Sequence, residues 1–264
     1  MKQALVTVVI PTYNRASFLR RTIKSVRSQT FKNWKLLIMD DGSTDHTRQV
    51  VAPFLSDPRI RYVRQKQNKG VSYTLNHALS LVSTKYFAQL DSDDWYEPHT
   101  LAKCVKKMEK ADPRVAVVYG HEKVWKAYPS GKIKFRRKKR KSVIKDKYDF
   151  ITLHQMIYPR FYRTRALRRV NGWSNLVPLQ GRYAEDRQIL LKLAGHYHFK
   201  RINKTLYNRL EHKNNNSRGR NRLKYAKVTR FLYIRALKSW GNKYRPIFKW
   251  VGGRLKVGGL KKVK

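Results

Sequence analysis

Over the first 120 residues, short β-branched or apolar runs alternate with segments of helical spacing, and this alternation leaves the chain few folds to adopt. Leu5–Ile10, Trp34–Met39, Ile60–Arg64, Tyr86–Leu90 and Val115–Tyr119 read as strands. Between them Ser17–Ser28, Thr44–Leu55, Gly70–Val82 and Pro98–Glu109 read as helices, the second opening on Ser43 or Thr44 as N-cap. The pattern predicts an α/β fold on a mostly parallel, doubly wound sheet. Ligands of such sheets bind beyond the carboxyl ends of the strands. Three polar clusters fall there: Pro11-Thr12-Tyr13-Asn14-Arg15, Asp40-Asp41-Gly42-Ser43 and Asp91-Ser92-Asp93-Asp94. They are expected to line one crevice.

The third cluster is the most unusual. Three carboxylates within four residues repel and raise one another's pKa. A divalent cation among them would reverse the local field. A solvated turn with capping acids ahead of Pro98 is the plainer alternative. Carboxylate ligands in a chain with one cysteine, Cys104, point to a hard cation, Mg²⁺ or Mn²⁺. That single cysteine excludes an intramolecular disulfide framework and a cysteine-rich zinc site.

The formal net charge is +45, unevenly spread. Residues 1–120 hold 20 Lys/Arg and 10 Asp/Glu, whereas residues 121–264 hold 41 and 6. A half so basic is expected to face an anionic partner. Its richest parts are residues 132–141, with the block Arg136–Lys141 read as a solvated loop or hairpin arm, and residues 213–264. Residues 222–240 read as a basic amphipathic helix, and the Gly/Lys-rich stretch after Pro246 reads as a mobile tail. Candidate partners are an anionic membrane surface or an anionic polymer. No nucleic-acid motif is present, so no specific nucleic acid is expected. The apolar stretch ending at Pro11 is too short to span a bilayer, and no run of about 18 apolar residues occurs elsewhere. The expected location is cytoplasmic, with peripheral contact at the inner face of the membrane left open.

The motifs Val8-Val9-Ile10-Pro11-Thr12-Tyr13-Asn14-Arg15, Ile38-Met39-Asp40-Asp41-Gly42-Ser43-Thr44-Asp45, Leu90-Asp91-Ser92-Asp93-Asp94 and Glu185-Asp186 together resemble glycosyltransferase family 2. The resemblance covers roughly residues 4–212, and Ser28-Gln29-Thr30-Phe31 through Asp41 is similar to the spore coat polysaccharide branch. It implies a GT-A fold: residues 1–120 as the nucleotide-sugar half, 121–212 as the acceptor half, and 213–264 as a basic helical extension. It also implies an inverting transferase that moves a sugar from a nucleoside-diphosphate sugar, with UDP favoured, to a hydroxyl of a glycan or lipid-linked acceptor.

By the same resemblance, Asp41 is expected to accept from the base, and Pro11 and Thr12 to contact it through their backbone. Tyr13 stacks on the base or is a core aromatic. Arg15 suits the diphosphate by charge or is a surface arginine. Asp91 is expected at the ribose, Asp93 at the metal, and Asp94 at the sugar or behind it. Inversion requires a base on the far side of the anomeric carbon; Asp186 is the first candidate and Glu185 the second. His212 is a candidate metal ligand, although the order Tyr207-Asn208-Arg209-Leu210-Glu211-His212 departs from the family's spacing. A binding or adaptor protein that kept this fold without turnover is the alternative.

Overall fold

The structure, a computed structural model, describes residues 3–213 and 221–263. In chain order its elements are β1 (Val6–Thr12), α1 (Ala16–Arg27), β2 (Trp34–Asp40), α2 (Thr47–Val51), β3 (Ile60–Arg64), α3 (Val71–Leu81), β4 (Tyr86–Gln89) and β5 (Trp95–Tyr96). There follow α4 (Thr100–Glu109), β6 (Val115–Ala127), β7 (Ile133–Lys139), α5 (Lys147–Thr152), β8 (Tyr158–Arg163), α6 (Thr164–Arg169), α7 (Glu185–Ala194) and β9 (His198–Glu211). Helix α8 (Arg222–Ser239) and the strands β10 (Tyr244–Val251) and β11 (Arg254–Lys262) complete the fold.

The main sheet runs β3-β2-β1-β4-β8-β6-β9-β5, with β7 paired to β6. From β3 to β4 every pairing is parallel, which is the region where the sequence alternates strand and helix. Beyond β4 the sheet is mixed. Strand β8 enters antiparallel to both β4 and β6, while β9 lies parallel to β6. The α/β expectation holds, and the parallel character belongs to its first half.

Strand alternation divides the core in two. Val6, Val8, Ile10, Leu36 and Ile38 face one side, against Leu19 and Ile23 of α1 and Leu101 and Cys104 of α4. Val9, Leu37 and Met39 face the other, against α3, α6, α7 and α8. Helix α2 is shorter than expected and starts after His46; neither Ser43 nor Thr44 caps it.

The C-terminal region corrects the expectation of a mobile tail. Helix α8 buries Val228, Leu232, Tyr233, Ala236 and Leu237 in the second core. Strands β10 and β11 form a hairpin in register from Tyr244↔Lys262 to Val251↔Arg254. Its tip is Gly252-Gly253, at φ +56° and +71°, the left-handed pair that a tight hairpin turn needs. Of the glycines that suggested disorder, Gly252 and Gly253 form the turn, while Gly258 and Gly259 lie within β11. The hairpin is docked by Val257, whose carbonyl accepts from His154 Nε2 at 2.6 Å, and by Tyr244 packed edge-on to Tyr148 at 5.0 Å. The block Arg136–Lys141 is a hairpin arm, since β7 pairs with β6.

Because α8 is part of the core, removing residues 213–264 would unfold more than a tail. Leu232→Ala or Leu237→Ala, at 5% and 2% exposure, is expected to cost roughly 2–5 kcal/mol in denaturant unfolding. Leu223→Ala, at 67% exposure, should stay within about 0.5 kcal/mol. Equal and small effects at all three positions would mean that α8 is not packed.

Candidate active site

The three polar clusters meet at the carboxyl edge of the parallel strands. Thr12 stands opposite Asp40 in the β1–β2 register, and Leu90 N–H donates to Val9 O at 3.0 Å, so the loop from Asp91 leaves beside Pro11. Asn14, at φ 51°, turns the chain out of β1. Its N–H donates to Ser43 Oγ and its Oδ1 accepts from Thr44 N–H, both at 2.9 Å. Asp45 accepts from Ala16 N–H at 3.0 Å and so holds the start of α1. Tyr13 is 43% exposed at this edge, which disfavours the core-aromatic reading. Thr12 is buried, and Arg15, partly buried, donates to Asn14 O at 3.3 Å.

Asp41 is buried and organises the loop after β3. It accepts from Lys69 N–H and Gly70 N–H at 2.8 Å each and from Gln65 Nε2 at 3.1 Å. That loop touches the segment leading to α7: Arg182 Nη1 donates to Asn68 Oδ1 at 2.5 Å, and Ser72 Oγ to Gly181 O at 2.7 Å. The loop after β3 and the segment leading to Glu185-Asp186 are therefore joined directly.

The Asp91–Asp94 loop is clamped from two sides. Thr22 Oγ1 of α1 lies 2.9 Å from Ser92 O and 2.8 Å from Asp94 O. The carboxylate of Asp94 points inward and accepts from Leu210 N–H of β9 at 2.7 Å. Burial, then the charges of Asp93 and Asp91, push its pKa well above the usual carboxylate range. Asp93 points the other way: its Oδ2 lies 2.8 Å from His212 Nε2, and the His212 ring stacks on Phe18 at 4.5 Å. Among the described residues no group of three or more His, Cys, Asp or Glu side chains forms a ready-made metal cage. One carboxylate and one imidazole nitrogen suit instead a cation that takes most of its shell from phosphate oxygens and water.

One residue that joins the site was not anticipated. Arg160, near the start of β8, is 1% exposed, and its two terminal nitrogens reach different carboxylates. Nη2 lies 2.5 Å from Asp91 Oδ1 and Nη1 lies 3.3 Å from Asp186 Oδ2. Burial opposes its charge, yet Asp91, then Tyr207 and Asp186, hold the guanidinium firmly protonated. A lone arginine in the run Tyr158-Pro159-Arg160-Phe161-Tyr162 was the available signal, because buried arginine needs carboxylate partners.

Through Arg160 the structure brings Asp91 and Glu185-Asp186 to one place. Asp186 Oδ1 accepts from Arg187 N–H at 2.7 Å. Burial, followed by the charge of Asp186, pushes Glu185 up to about 8. A carboxyl whose folded pKa exceeds its unfolded value of 4.5 holds its proton more tightly in the folded state. Its stability contribution is therefore lost as pH rises between those values. Glu185→Gln is expected to raise Tm relative to wild type more at pH 8.5 than at pH 5. A difference independent of pH would show that Glu185 titrates normally.

Comparison with known proteins shows the family and the fold. The sequence model described as glycosyl transferase family 2 matches residues 7–170. Chondroitin synthase of Pasteurella multocida (strain Pm70) is 31% identical over 222 residues, covering 81% of this chain and 21% of that protein. Chondroitin synthase of Escherichia coli is 32% identical over 222 residues, covering 81% and 30%. The chain thus spans less than a third of the length of these relatives. Among solved structures, Staphylococcus aureus TarS 1-349 in complex with UDP-GlcNAc has a TM-score of 0.68 at 19% identity, covering 88% of this chain and 66% of that one. The mannosyltransferase PcManGT from Pyrobaculum calidifontis, solved with GDP-Man and Mn²⁺, has a TM-score of 0.64 at 20% identity, covering 90% and 65%. The fold is the GT-A fold of those structures, and with more than half of its length matched by the family's sequence model, the chain belongs to glycosyl transferase family 2.

Proposed function

We propose that the chain is an inverting glycosyltransferase that moves a sugar from a nucleoside-diphosphate sugar, with UDP favoured, to a hydroxyl of a glycan or lipid-linked acceptor. The observation that carries this reading is the Arg160 bridge, which brings a carboxylate pair suited to base chemistry beside the donor-side acids. A protein that only bound the donor would not need Asp186 beside Asp91.

The geometry supports the following roles. A carboxylate offers about four acceptor positions, and Asp41 uses three within the protein, leaving one for an N–H of the nucleobase. Tyr13, exposed at the mouth, is free to stack on that base, and the backbone of Pro11 and Thr12 lies beside it. Asp91 faces the ribose from the β4 end and Arg15 lies on the diphosphate side, while Asp94 supports the loop from within. Asp93 and His212 are the residues that would hold Mg²⁺ or Mn²⁺. When bound, the cation neutralises charge developing on the departing diphosphate. Asp186 takes the proton of the acceptor hydroxyl as that oxygen bonds to the anomeric carbon. The bond from that carbon to the diphosphate oxygen breaks on the opposite face, inverting the configuration. Glu185 stands next to it as the alternative base.

Asp186→Asn should lower turnover by about 10²–10⁴-fold, while calorimetry finds UDP binding with Mn²⁺ unchanged. Asp93→Asn should lose both turnover and the Mn²⁺ dependence of UDP binding. Wild-type turnover in Asp186→Asn would transfer the base role to Glu185. Absence of turnover in the wild-type chain with every UDP-sugar tried would favour the non-catalytic adaptor reading.

A peripheral membrane location is supported by the C-terminal hairpin. Its register sets Arg245 against Lys261 and Lys249 against Lys256, like-charge pairs that are unfavourable without a counter-anion. Ile247 and Trp250, 53% and 51% exposed, sit among them. Among the described residues no helix is long and apolar enough to cross a membrane. Each cation near an anionic surface adds about 1 kcal/mol. The full chain should co-sediment with phosphatidylglycerol-containing vesicles, and Lys249→Glu/Lys256→Glu should release it. Equal sedimentation of the variant would remove the hairpin from any membrane role.

A further inference from the structure

A polar strip of largely buried side chains leads from the Asp186 carboxylate through Arg160. Arg160 lies over the ring of Tyr158 at 5.2 Å, and Tyr158 stacks on Tyr207 of β9 at 4.7 Å. Lys141 Nζ approaches the same Tyr158 ring at 5.5 Å and bonds Glu122 at 3.0 Å. Arg209 then links Glu122 at 3.3 Å to Glu211 at 2.9 Å. Glu211 is bonded by Arg136 at 3.1 Å and approached by Arg137 at 3.8 Å, while Lys139 lies 4.0 Å from Glu122. The far end returns to the site, because Glu211 directly precedes His212, the partner of Asp93.

The charge balance along this strip is lopsided. Glu122 and Glu211 are almost fully buried, at 2% and 3% side-chain exposure, and among the described residues five cations surround them. Lys141 and Arg209, at 6% and 22%, lie inside and offset the two acids. Arg136, Arg137 and Lys139 remain 41–46% exposed, and β7 contributes no acid. Guanidinium groups partly used on one side keep N–H donors for a second anion, with the fork geometry that suits carboxylate and phosphate alike.

We infer that the exposed cations at the outer end of this strip, Arg136, Arg137 and Lys139, hold a negatively charged glycan acceptor. It deepens the transferase reading and rests on it for the acceptor's role. The ligand chemistry is a chain of sugar units bearing carboxylates or phosphodiesters, with an anionic group held by β7 and a neighbouring hydroxyl delivered to Asp186.

The test is binding of three soluble oligomers to the full chain: a uronic-acid-containing oligosaccharide, a glycerol phosphate oligomer and a neutral chito-oligosaccharide. At least one anionic oligomer should bind about tenfold or more tighter than the neutral one, and which of the two does so identifies the anionic group. Arg136→Ala/Arg137→Ala, at exposed positions, should lose that preference while keeping UDP binding with Mn²⁺. Lys249→Ala/Lys256→Ala, on the distant hairpin, should keep it. Equal affinity for the neutral oligomer, an unchanged Arg136→Ala/Arg137→Ala variant, or an equal loss in the hairpin variant would each overturn the assignment. So would a loss confined to phosphatidylglycerol vesicles, which would make β7 a lipid contact. Failure of the wild-type chain to bind UDP with Mn²⁺ would strike the transferase reading instead, a result separable from the oligomer comparison.

Discussion

The site is organised around one buried cation. Arg160 lies beneath a group of carboxylates that would otherwise repel one another, and it touches one from each side of the cleft: Asp91 after β4 and Asp186 at the start of α7. Breaking a buried pair by removing one partner is costly because the other charge is left uncompensated. Here a single side chain has two such partners. The distance between the donor-side loop and the proposed base is therefore set by a rigid strand residue rather than by loop packing. The strand arrangement explains why this works. Strand β8 runs antiparallel to β4, so Arg160 pairs with Gln89 and lies beside the exit of the chain toward Asp91.

The remaining acids are sorted by what holds them. Asp94 is turned inward to the Leu210 N–H, and Asp41 is occupied by two backbone N–H groups and Gln65. Asp93 points outward to His212. Three acids that look equivalent in sequence thus divide into an arginine partner, a loop support and a metal candidate. The clamp of Thr22 on the carbonyls of Ser92 and Asp94 limits how far the loop can yield when the charges change.

Much of the parallel half was legible in sequence because its strands are continuous apolar runs with polar residues at their ends. The register of β1, β2 and β4 then places Thr12, Asp41 and Asp91 together with little further information. The second half was less legible for physical reasons. Arg160 becomes informative only when its partners, 69 and 26 residues away, are brought to it by the fold. The C-terminal hairpin was hidden because Gly and Lys enrichment is shared by disordered tails and tight turns. What separates them here is the alternation that sends Tyr244, Phe248 and Leu260 toward the core and Arg245 and Lys249 away from it.

The same contrast bears on the charge of the molecule. A net +45 would be expected to disfavour compactness through self-repulsion. The basic residues of the second half are not distributed as an undifferentiated coat, however. Arg163 and Arg168 are used on backbone carbonyls at Val115 and Val82, so some of the charge secures the scaffold. Among the described residues, the cations of β7 that reach inward do so to the buried Glu122 and Glu211. Like-charge neighbours at such positions are the physical ground for the two anionic partners proposed above. The two places where this occurs differ in kind. One is continuous with Asp91 and Asp186 through Arg160 and Tyr158, whereas the other packs on α8 and the second core.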